Sequence, residues 1–251
     1  MFKSNLIFPA TILQVLLFVI LSFLCVVGVF FFDAHFLKSY SIGFRMAFET
    51  LFFLFLPILL FYGINYKRRT EIYFRVEIPS FKILSVGILV IASAISLSKG
   101  INSFFQDKGT IINPYQLDNI WMLCSTCLIG PVLEELYFRI VIQNGLSQSY
   151  TPKYSIFITA ILFMLVHIPS QYPFAIIVGL FIGFTYYTSN NNIILAISLH
   201  LLANNISTFY QFLAFKFGEF PLAVIGLFSF VILIFLLIKY VKNNQNLFYR
   251  G

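Results

Sequence analysis

Residues 131–142 read PVLEELYFRIVI and place three charged side chains, Glu134, Glu135 and Arg139, inside an otherwise apolar run. A charged side chain near the middle of a bilayer costs on the order of 3 kcal/mol, so these residues are not expected to face lipid. Glu135 and Arg139 are four residues apart, which places them on one helical face in the orientation that favours an ion pair. Glu134 lies about 100 degrees further round the helix and is left freer to hold a proton or orient a water molecule. The stretch therefore predicts a buried polar site within a membrane helix.

The composition of the whole chain agrees with a membrane location. Of 251 residues, 60% are hydrophobic and 10% are charged, and the mean hydropathy is +0.92. Soluble domains carry roughly 25% charged residues, so a soluble globular protein is excluded and the lipid bilayer is the expected surrounding. The formal net charge of +7 comes from basic residues scattered at the ends of apolar runs, which argues against a nucleic-acid partner. Cys25, Cys124 and Cys127 lie in apolar runs and suggest neither a disulfide framework nor a structural zinc site.

With about 20 apolar residues per crossing, the sequence predicts an all-α fold, a polytopic membrane helix bundle of about eight transmembrane helices. Four of these helices form a core that carries the site. The predicted spans are 7–32, 46–65, 82–98, 116–146, 154–169, 172–188, 193–212 and 221–239. These spans divide the chain into three parts. The N-terminal part, 1–115, contains three helices and their connectors. The core is 116–212, and the C-terminal helix with its tail is 213–251.

The basic residues between the spans predict the orientation of the chain. If the spans alternate, ten basic residues lie on one side of the membrane, five lie on the other, and Arg139 lies inside a span. The ten are Lys3, Lys67, Arg68, Arg69, Arg75, Lys82, Lys153, Lys239, Lys242 and Arg250, and the five are Lys38, Arg45, Lys99, Lys108 and Lys216. The positive-inside rule then predicts a multi-pass protein of the cell membrane with both termini in the cytoplasm.

The fourth span is too long for a straight crossing. A helix from Asn113 and Pro114 to Gly145 would measure roughly 45 Å, against a hydrocarbon core of about 30 Å. Gly130 and Pro131 predict a break, because proline removes a backbone donor and clashes with the preceding turn. A new half-helix beginning at Pro131 would then face a cavity.

Residues 71–78, EIYFRVEI, alternate polar and apolar side chains, which is the period of a strand. Two interpretations stay open, a short interfacial segment or an ordinary connector.

Two of the three histidines, His167 and His200, lie in separate apolar runs. Phe163 and His167 are four residues apart, as are His200 and Asn204, so each pair is expected to share a helical face. In a chain with so few polar side chains, these faces are expected to converge with the charged stretch on one buried site. That site would contain Glu134, Glu135, Arg139, His167, His200 and Asn204.

Two carboxylates and two imidazoles suit hydrolysis. A carboxylate can take a proton from water, an imidazole can position that water or protonate a leaving amine, and His and Asn can donate hydrogen bonds to an oxyanion. Alternatively, Glu134, His167 and His200 could bind a divalent metal such as zinc, as two histidines and a carboxylate do in hydrolytic zinc sites. The spacing does not separate these alternatives.

The motifs resemble those of the CPBP family, which comprises CAAX-processing endopeptidases and bacteriocin-processing or immunity (Abi) membrane proteins. The resemblance covers about residues 116–212 and rests on three motifs in order. They are E-E-x-x-x-R at Glu134, Glu135 and Arg139, preceded by Pro131, then F-x-x-x-H at Phe163 and His167, and H-x-x-x-N at His200 and Asn204. Where the family usually has glycine after the motif arginine, this chain has Ile140.

The resemblance implies a glutamate-dependent intramembrane endopeptidase, a type also classed as a metalloprotease. By position, Glu134 would be the general base, and His167 would help to hold the attacking water. His200 and Asn204 would stabilise the oxyanion, while Glu135 and Arg139 would support the site. The implied substrate is a peptide, a membrane protein or a lipidated protein, with bacterial peptide pheromones or bacteriocin leaders as the favoured class.

Two other functions stay open from the sequence. A non-catalytic immunity or scaffold protein would keep the polar site as structural contacts and act by binding a membrane-protein partner. A small transporter would use the carboxylates as a proton relay.

Overall fold

A computed structural model describes residues 7–67, 72–104 and 120–217, together with Phe228, Val231, Ile232 and Phe235. Seven helices run through the three continuous ranges. They are α1 (Ile12–Phe36), α2 (Ile42–Lys67), α3 (Phe81–Phe104), α4 (Ile120–Leu146), α5 (Pro152–Leu165), α6 (Tyr172–Thr188) and α7 (Ile193–Phe217). A turn of 3-10 helix, Pro169–Gln171, connects α5 to α6.

Five of these helices, α1 to α4 and α7, are long and apolar enough to cross a membrane. The predicted all-α polytopic bundle is therefore confirmed for the described residues. Helices α5 and α6 have 14 and 17 residues, which corresponds to about 21 and 26 Å and is shorter than a bilayer core of about 30 Å. The predicted span 221–239 lies outside the described residues apart from four helical positions, and Asn113 and Pro114 lie outside them as well.

The helix that carries the charged stretch lies at the centre of the bundle. Helix α4 contacts α2, α5, α6 and α7. Every side chain from Tyr137 to Gln143 is buried. Because this part of α4 is covered by protein on all sides, polar side chains on it can face neighbouring helices and not lipid.

The predicted break at Gly130 and Pro131 is wrong, because α4 continues through the proline with helical dihedral angles on both sides. Two segments of α4 are π-helical, Ser125–Ile129 and Leu136–Gln143. A π turn joins residues five apart, is wider than an α turn, and is often found at functional sites. The wide turn before Gly130 relieves the clash that a proline ring makes with a regular α turn.

The backbone donor that Pro131 lacks is replaced from another helix. In a regular helix, the residue at this position would donate to the carbonyl of Cys127 or, in a π turn, to that of Thr126. Asn204 Nδ2 donates to the Thr126 carbonyl at 2.7 Å, and Asn205 Nδ2 donates to the Cys127 carbonyl at 3.2 Å. These bonds keep α4 continuous and hold α7 against it.

The alternating segment before α3 forms an extended connection to the turn between α6 and α7. Arg75 exchanges two backbone hydrogen bonds with this turn, in an isolated β-bridge to Asn192. The Asn192 side chain accepts from the Glu77 N–H at 3.3 Å and donates to the Glu77 carbonyl at 3.0 Å. Asn190 and Asn191 have φ angles of 55° and 59°, which asparagine tolerates better than most residues. The segment thus ties the start of α3 to the start of α7.

Candidate active site

Glu135, Arg139 and His200 form a buried chain of polar contacts. Arg139 Nε donates to Glu135 Oε2 at 2.8 Å, and both side chains are 0% exposed. His200 Nδ1 donates to Glu135 Oε1 at 2.8 Å, since a carboxylate paired with arginine acts as the acceptor. The ion pair expected from the four-residue spacing is therefore present. Because each oxygen of Glu135 already accepts a hydrogen bond, this carboxylate is an anchor for its neighbours.

Glu134 is the carboxylate that reaches open space. Its side chain is 22% exposed, and its Oε2 lies 3.7 Å from His200 Nε2. With its Nδ1 proton directed toward Glu135, the His200 ring directs Nε2 toward Glu134. The separation of 3.7 Å is longer than a hydrogen bond, so the contact between these two side chains is electrostatic.

His167 lies beyond the end of α5, and not within a helix as the sequence predicts. Helix α5 ends at Leu165. Ile168 is extended, with φ of −72° and ψ of 148°, because the following Pro169 disfavours helical backbone in the residue before it. His167 Nδ1 donates to the carbonyl of Phe163 at 2.7 Å, since a carbonyl only accepts. Nε2 of His167 is left to act on a ligand.

The Phe163 ring contacts both imidazoles. Its centroid lies 4.6 Å from that of His167 and 5.4 Å from that of His200. The Arg139 guanidinium carbon lies 5.9 Å from the same centroid, within the range of a cation–π contact. The phenylalanine of the F-x-x-x-H motif therefore packs against three of the polar side chains of the site.

A cavity of about 310 Å³ opens beside Glu134 and His167. It extends toward the end of the bundle where α4 begins, since its lining includes Met122 near the start of α4 and Gln211 near the end of α7. Many of its walls carry hydroxyl or amide groups, and we call it the polar cavity. The lining residues with such groups include Thr50, Ser98, Ser125, Thr126, Ser170, Gln171, Asn204, Ser207, Thr208 and Gln211.

A second cavity, of about 470 Å³, lies among α1, α2 and α4, and we call it the apolar cavity. Its apolar lining residues include Val19, Phe23, Val26, Val29, Phe30, Phe53, Leu54, Phe138, Val166 and Ile168. Thr50, Glu134, His167 and Gln171 line both cavities. Glu134 and His167 therefore lie where a polar space meets an apolar one.

The two site residues on α7 differ in their access to these cavities. Asn204 lines the polar cavity, with one amide N–H bonded to the Thr126 carbonyl and the second N–H of the same nitrogen left over. His200 is 2% exposed and lines neither of the two cavities. It approaches them through its contact with Glu134. The structure thus brings all six predicted residues to one region, but it places His200 behind Glu134.

Sequence reasoning missed Gln143, which extends the buried chain. Arg139 Nη1 donates to Gln143 Oε1 at 3.2 Å, and Gln143 Nε2 donates to the Gly183 carbonyl at 3.0 Å. The signal was the spacing, because Gln143 follows Arg139 by four residues on the face of Glu135. Gln143 is neutral, and the candidate site was defined mainly by titratable side chains.

The proposed metal ligands do not form a metal-binding group in this arrangement. Among the described residues, no three His, Cys, Asp or Glu side chains are placed to hold a metal ion together. The Phe163 ring contacts His167 and His200 at once. Glu134, His167 and His200 therefore do not fit a shared ion without rearrangement.

Residues 116–206 match a protein-family model described as type II CAAX prenyl endopeptidase, Rce1-like. No curated protein and no solved structure matches the chain. The matched segment contains α4, α5 and α6 and the part of α7 that carries His200 and Asn204. The seven polar side chains at the centre of the site all lie within it: Glu134, Glu135, Arg139, Gln143, His167, His200 and Asn204. Over this segment the chain is similar to intramembrane endopeptidases of the CAAX type, which supports the resemblance to the CPBP family that the motifs predict.

Proposed function

We propose that the chain cleaves a peptide bond within the membrane, with Glu134 as the general base that activates water. The observation that carries this proposal is the position of Glu134 and His167, which line both the polar and the apolar cavity. A water molecule in the polar cavity has access to both side chains. A substrate segment in the apolar cavity would present its carbonyl group to that water.

In the proposed reaction, Glu134 takes a proton from water while Nε2 of His167 accepts the second hydrogen bond of that water. The resulting hydroxide attacks the carbonyl carbon and forms a tetrahedral oxyanion. The free N–H of Asn204 Nδ2 is the proposed donor to this oxyanion. Glu134 then returns its proton to the leaving amine as the carbon–nitrogen bond breaks, so the proton count balances.

His200 receives a different role from the one that the family resemblance implies. Its burial and its contact with Glu134 support a role in holding that carboxylate and sharing its proton. Glu135 and Arg139 fix the His200 ring through its Nδ1. A second layer that orients a base in this way is common in hydrolytic sites.

The cavities also favour a class of substrate. The apolar cavity suits apolar side chains or a lipid group, and the polar cavity suits water and the polar flank of the peptide. We propose a peptide or lipidated protein with a change in polarity at the cleaved bond. Bacterial peptide pheromones and bacteriocin leaders are the specific substrates that we propose to test first.

The test compares Glu134→Gln and His167→Ala with two matched controls in a cell assay of peptide processing. Glu77→Gln removes a half-exposed carboxylate paired with Arg75, and His35→Ala removes an exposed imidazole. We expect Glu134→Gln to lower processing by at least ~100-fold, His167→Ala to lower it less, and both controls to retain it. If the two site variants process normally at normal abundance, the endopeptidase proposal fails, and binding to a membrane-protein partner becomes the better account.

A metal-assisted reaction is a separate proposal, since it requires the three candidate ligands to move together. We expect a chelator to leave cleavage by the purified protein unchanged. Loss of cleavage, restored by a divalent ion such as zinc, would show that cleavage requires a metal and would favour Glu134, His167 and His200 as its ligands after a rearrangement.

A further inference from the structure

Glu49 on α2 places a carboxylate in the wall of the apolar cavity. Helix α2 begins at Ile42, so Glu49 lies about two turns from its start, and its side chain is half-buried. Among the described residues that line this cavity, Glu49 and Glu134 are the acidic ones, and none is lysine or arginine. Most of the other lining residues are apolar or aromatic. A carboxylate in such a wall costs free energy unless a cation or hydrogen-bond donors approach it.

Arg45, one turn before Glu49, is held by a different carboxylate. Its Nε donates to Asp33 Oδ1 at 2.8 Å and to Asp33 Oδ2 at 3.0 Å, and its Nη2 also donates to Oδ2. Electrostatic interactions link Glu49 to both residues, but within the described part of the chain it forms no ion pair with a basic side chain. Two carboxylates and one guanidinium therefore leave one negative charge in excess, and of the three side chains only Glu49 lines the cavity.

The contact between α2 and α4 shows how far Glu49 lies from the proposed base. The hydroxyl of Thr50, next to Glu49, accepts a hydrogen bond from Ser125 Oγ at 2.8 Å. Ser125 precedes Glu134 by nine residues, which corresponds to roughly 14 Å along a helix. An extended peptide advances about 3.3 Å per residue, so this distance corresponds to about four residues. A peptide in the apolar cavity with its carbonyl group near Glu134 can therefore bring a long side chain to Glu49.

We propose that Glu49 selects substrates that carry a lysine or arginine within about four residues of the cleaved bond, on the segment that occupies the apolar cavity. This inference rests on the proposed function, because it names the substrate class of the same site. The basic group would pair with the Glu49 carboxylate while its aliphatic stem and the neighbouring residues remain in apolar contact. A glutamate at the same substrate position would meet a like charge and bind less tightly.

The first measurement is peptide binding by the full-length protein in an uncharged detergent. The probes are three fluorescently labelled peptides of leucine, alanine and serine that differ at one central position, which holds lysine, norleucine or glutamate. We expect the lysine peptide to bind at least ~10-fold more tightly than the glutamate peptide, with norleucine between them. Norleucine resembles lysine in length but has no charge, so the difference reports the charge. Equal affinities of the wild-type protein for the three peptides overturn the inference.

Variants of Glu49 test whether this residue carries the preference. Glu49→Gln should bring the three affinities within about twofold of one another, and Glu49→Lys should reverse their order. Glu49→Asp keeps the charge and should retain the order. If Glu49 only stabilises the α1–α2 pair, Glu49→Gln will weaken binding of all three peptides equally, which overturns the inference.

Two other carboxylates provide matched controls for the binding measurement. Glu77→Gln removes a carboxylate that precedes α3 at the other end of the bundle and should keep the wild-type preference. Glu134→Gln removes the second carboxylate of the apolar cavity and should still favour the lysine peptide. If Glu134→Gln abolishes the preference while Glu49→Gln retains it, the selection belongs to Glu134 and the inference is overturned.

The second measurement is cleavage, which separates this inference from the proposed function. The lysine form of a cleaved peptide should have a kcat/KM at least ~10-fold above the glutamate form, and Glu49→Gln should remove most of this ratio. The lysine is then moved along the peptide, and a preference at none of the positions within about four residues of the cleaved bond overturns the inference. Cleavage without any charge preference counts against the inference alone. A charge preference in binding without cleavage of any peptide counts against the proposed function alone.

Discussion

Glu134 and Glu135 are neighbours in the sequence but face different surroundings. Adjacent residues on a helix point about 100 degrees apart, so Glu135 faces Arg139 and His200 while Glu134 reaches the cavities. Both oxygens of Glu135 accept hydrogen bonds from buried donors. We therefore expect replacement of Glu134 and replacement of Glu135 to affect different properties of the protein.

Glu135→Gln is expected to lower stability. The amide keeps an acceptor oxygen but loses the charge that balances Arg139, and an unbalanced buried charge costs about 3–5 kcal/mol. Thermal unfolding of the purified protein in detergent measures the change. The control is Glu77→Gln, where an ion pair with about half of its surface exposed contributes less than about 1 kcal/mol. Equal unfolding temperatures for Glu135→Gln and the wild type would show that Arg139 has another source of charge balance.

Spacing alone predicted the Glu135–Arg139 ion pair within α4, whereas the position of His200 was decided by packing between helices. The pair Glu135–Arg139 follows from their separation of four residues, which is a local property. The burial of His200 behind Glu134 depends on how α7 is rotated against α4, and no local pattern specifies that rotation. The same separation of four also links Gln143 to Arg139, but a neutral amide gave no electrostatic reason to single it out.

Helix α4 illustrates how a distant residue can override a local signal. Proline within a helix normally predicts a kink or an end, because proline has no backbone N–H and the carbonyl one turn earlier loses its hydrogen-bond partner. Here Asn205 supplies a donor to Cys127, and these two residues are 78 positions apart. The sequence shows the position of Pro131, but it does not show that Asn205 replaces the missing hydrogen-bond donor. At the end of α5, by contrast, the local signal decides the structure. Pro169 disfavours helical backbone before it, and His167 therefore lies outside the helix.

A double-mutant cycle can test this compensation. Asn205→Ala leaves the Cys127 carbonyl without its side-chain donor and is expected to cost about 1 kcal/mol of unfolding free energy. Pro131→Ala restores the backbone N–H that proline lacks at position 131. In the double variant, the Asn205→Ala cost should be smaller than in the wild-type background, since the new N–H can bond to the same carbonyl. Additive effects of the two changes would mean that Asn205 does not compensate for the proline.

At the scale of the whole molecule, three basic residues lie at the end of the bundle opposite the two cavities, while Lys99 lies at the cavity end and lines the polar cavity. Arg75, Lys82 and Lys153 lie at the end where α3 and α5 begin. Both cavities extend from Glu134 into the other half, where the residues between α5 and α6 line them. The positive-inside rule predicts that the basic end is cytoplasmic. The cavities would then face the outer side of the membrane.

Two glutamines allow a matched test of this orientation. Gln171 is exposed and lines both cavities, whereas Gln148 is exposed just after α4 at the basic end. Each is replaced by cysteine in a background without Cys25, Cys124 and Cys127. A thiol reagent that cannot cross membranes is expected to label Gln171→Cys in intact cells and Gln148→Cys only in permeabilised cells. The reverse pattern would place the basic end of the bundle outside the cell.

The two cavities lie in the half of the bundle opposite the basic end, and this position affects when the proposed cleavage could take place and how it could be inhibited. If the basic end is cytoplasmic, a peptide made in the cytoplasm would have to enter the bilayer as far as Glu134, near the middle of α4, so the proposed cleavage would follow its export or insertion. A charged peptide analogue added to the medium could then occupy the polar cavity without entering the cell.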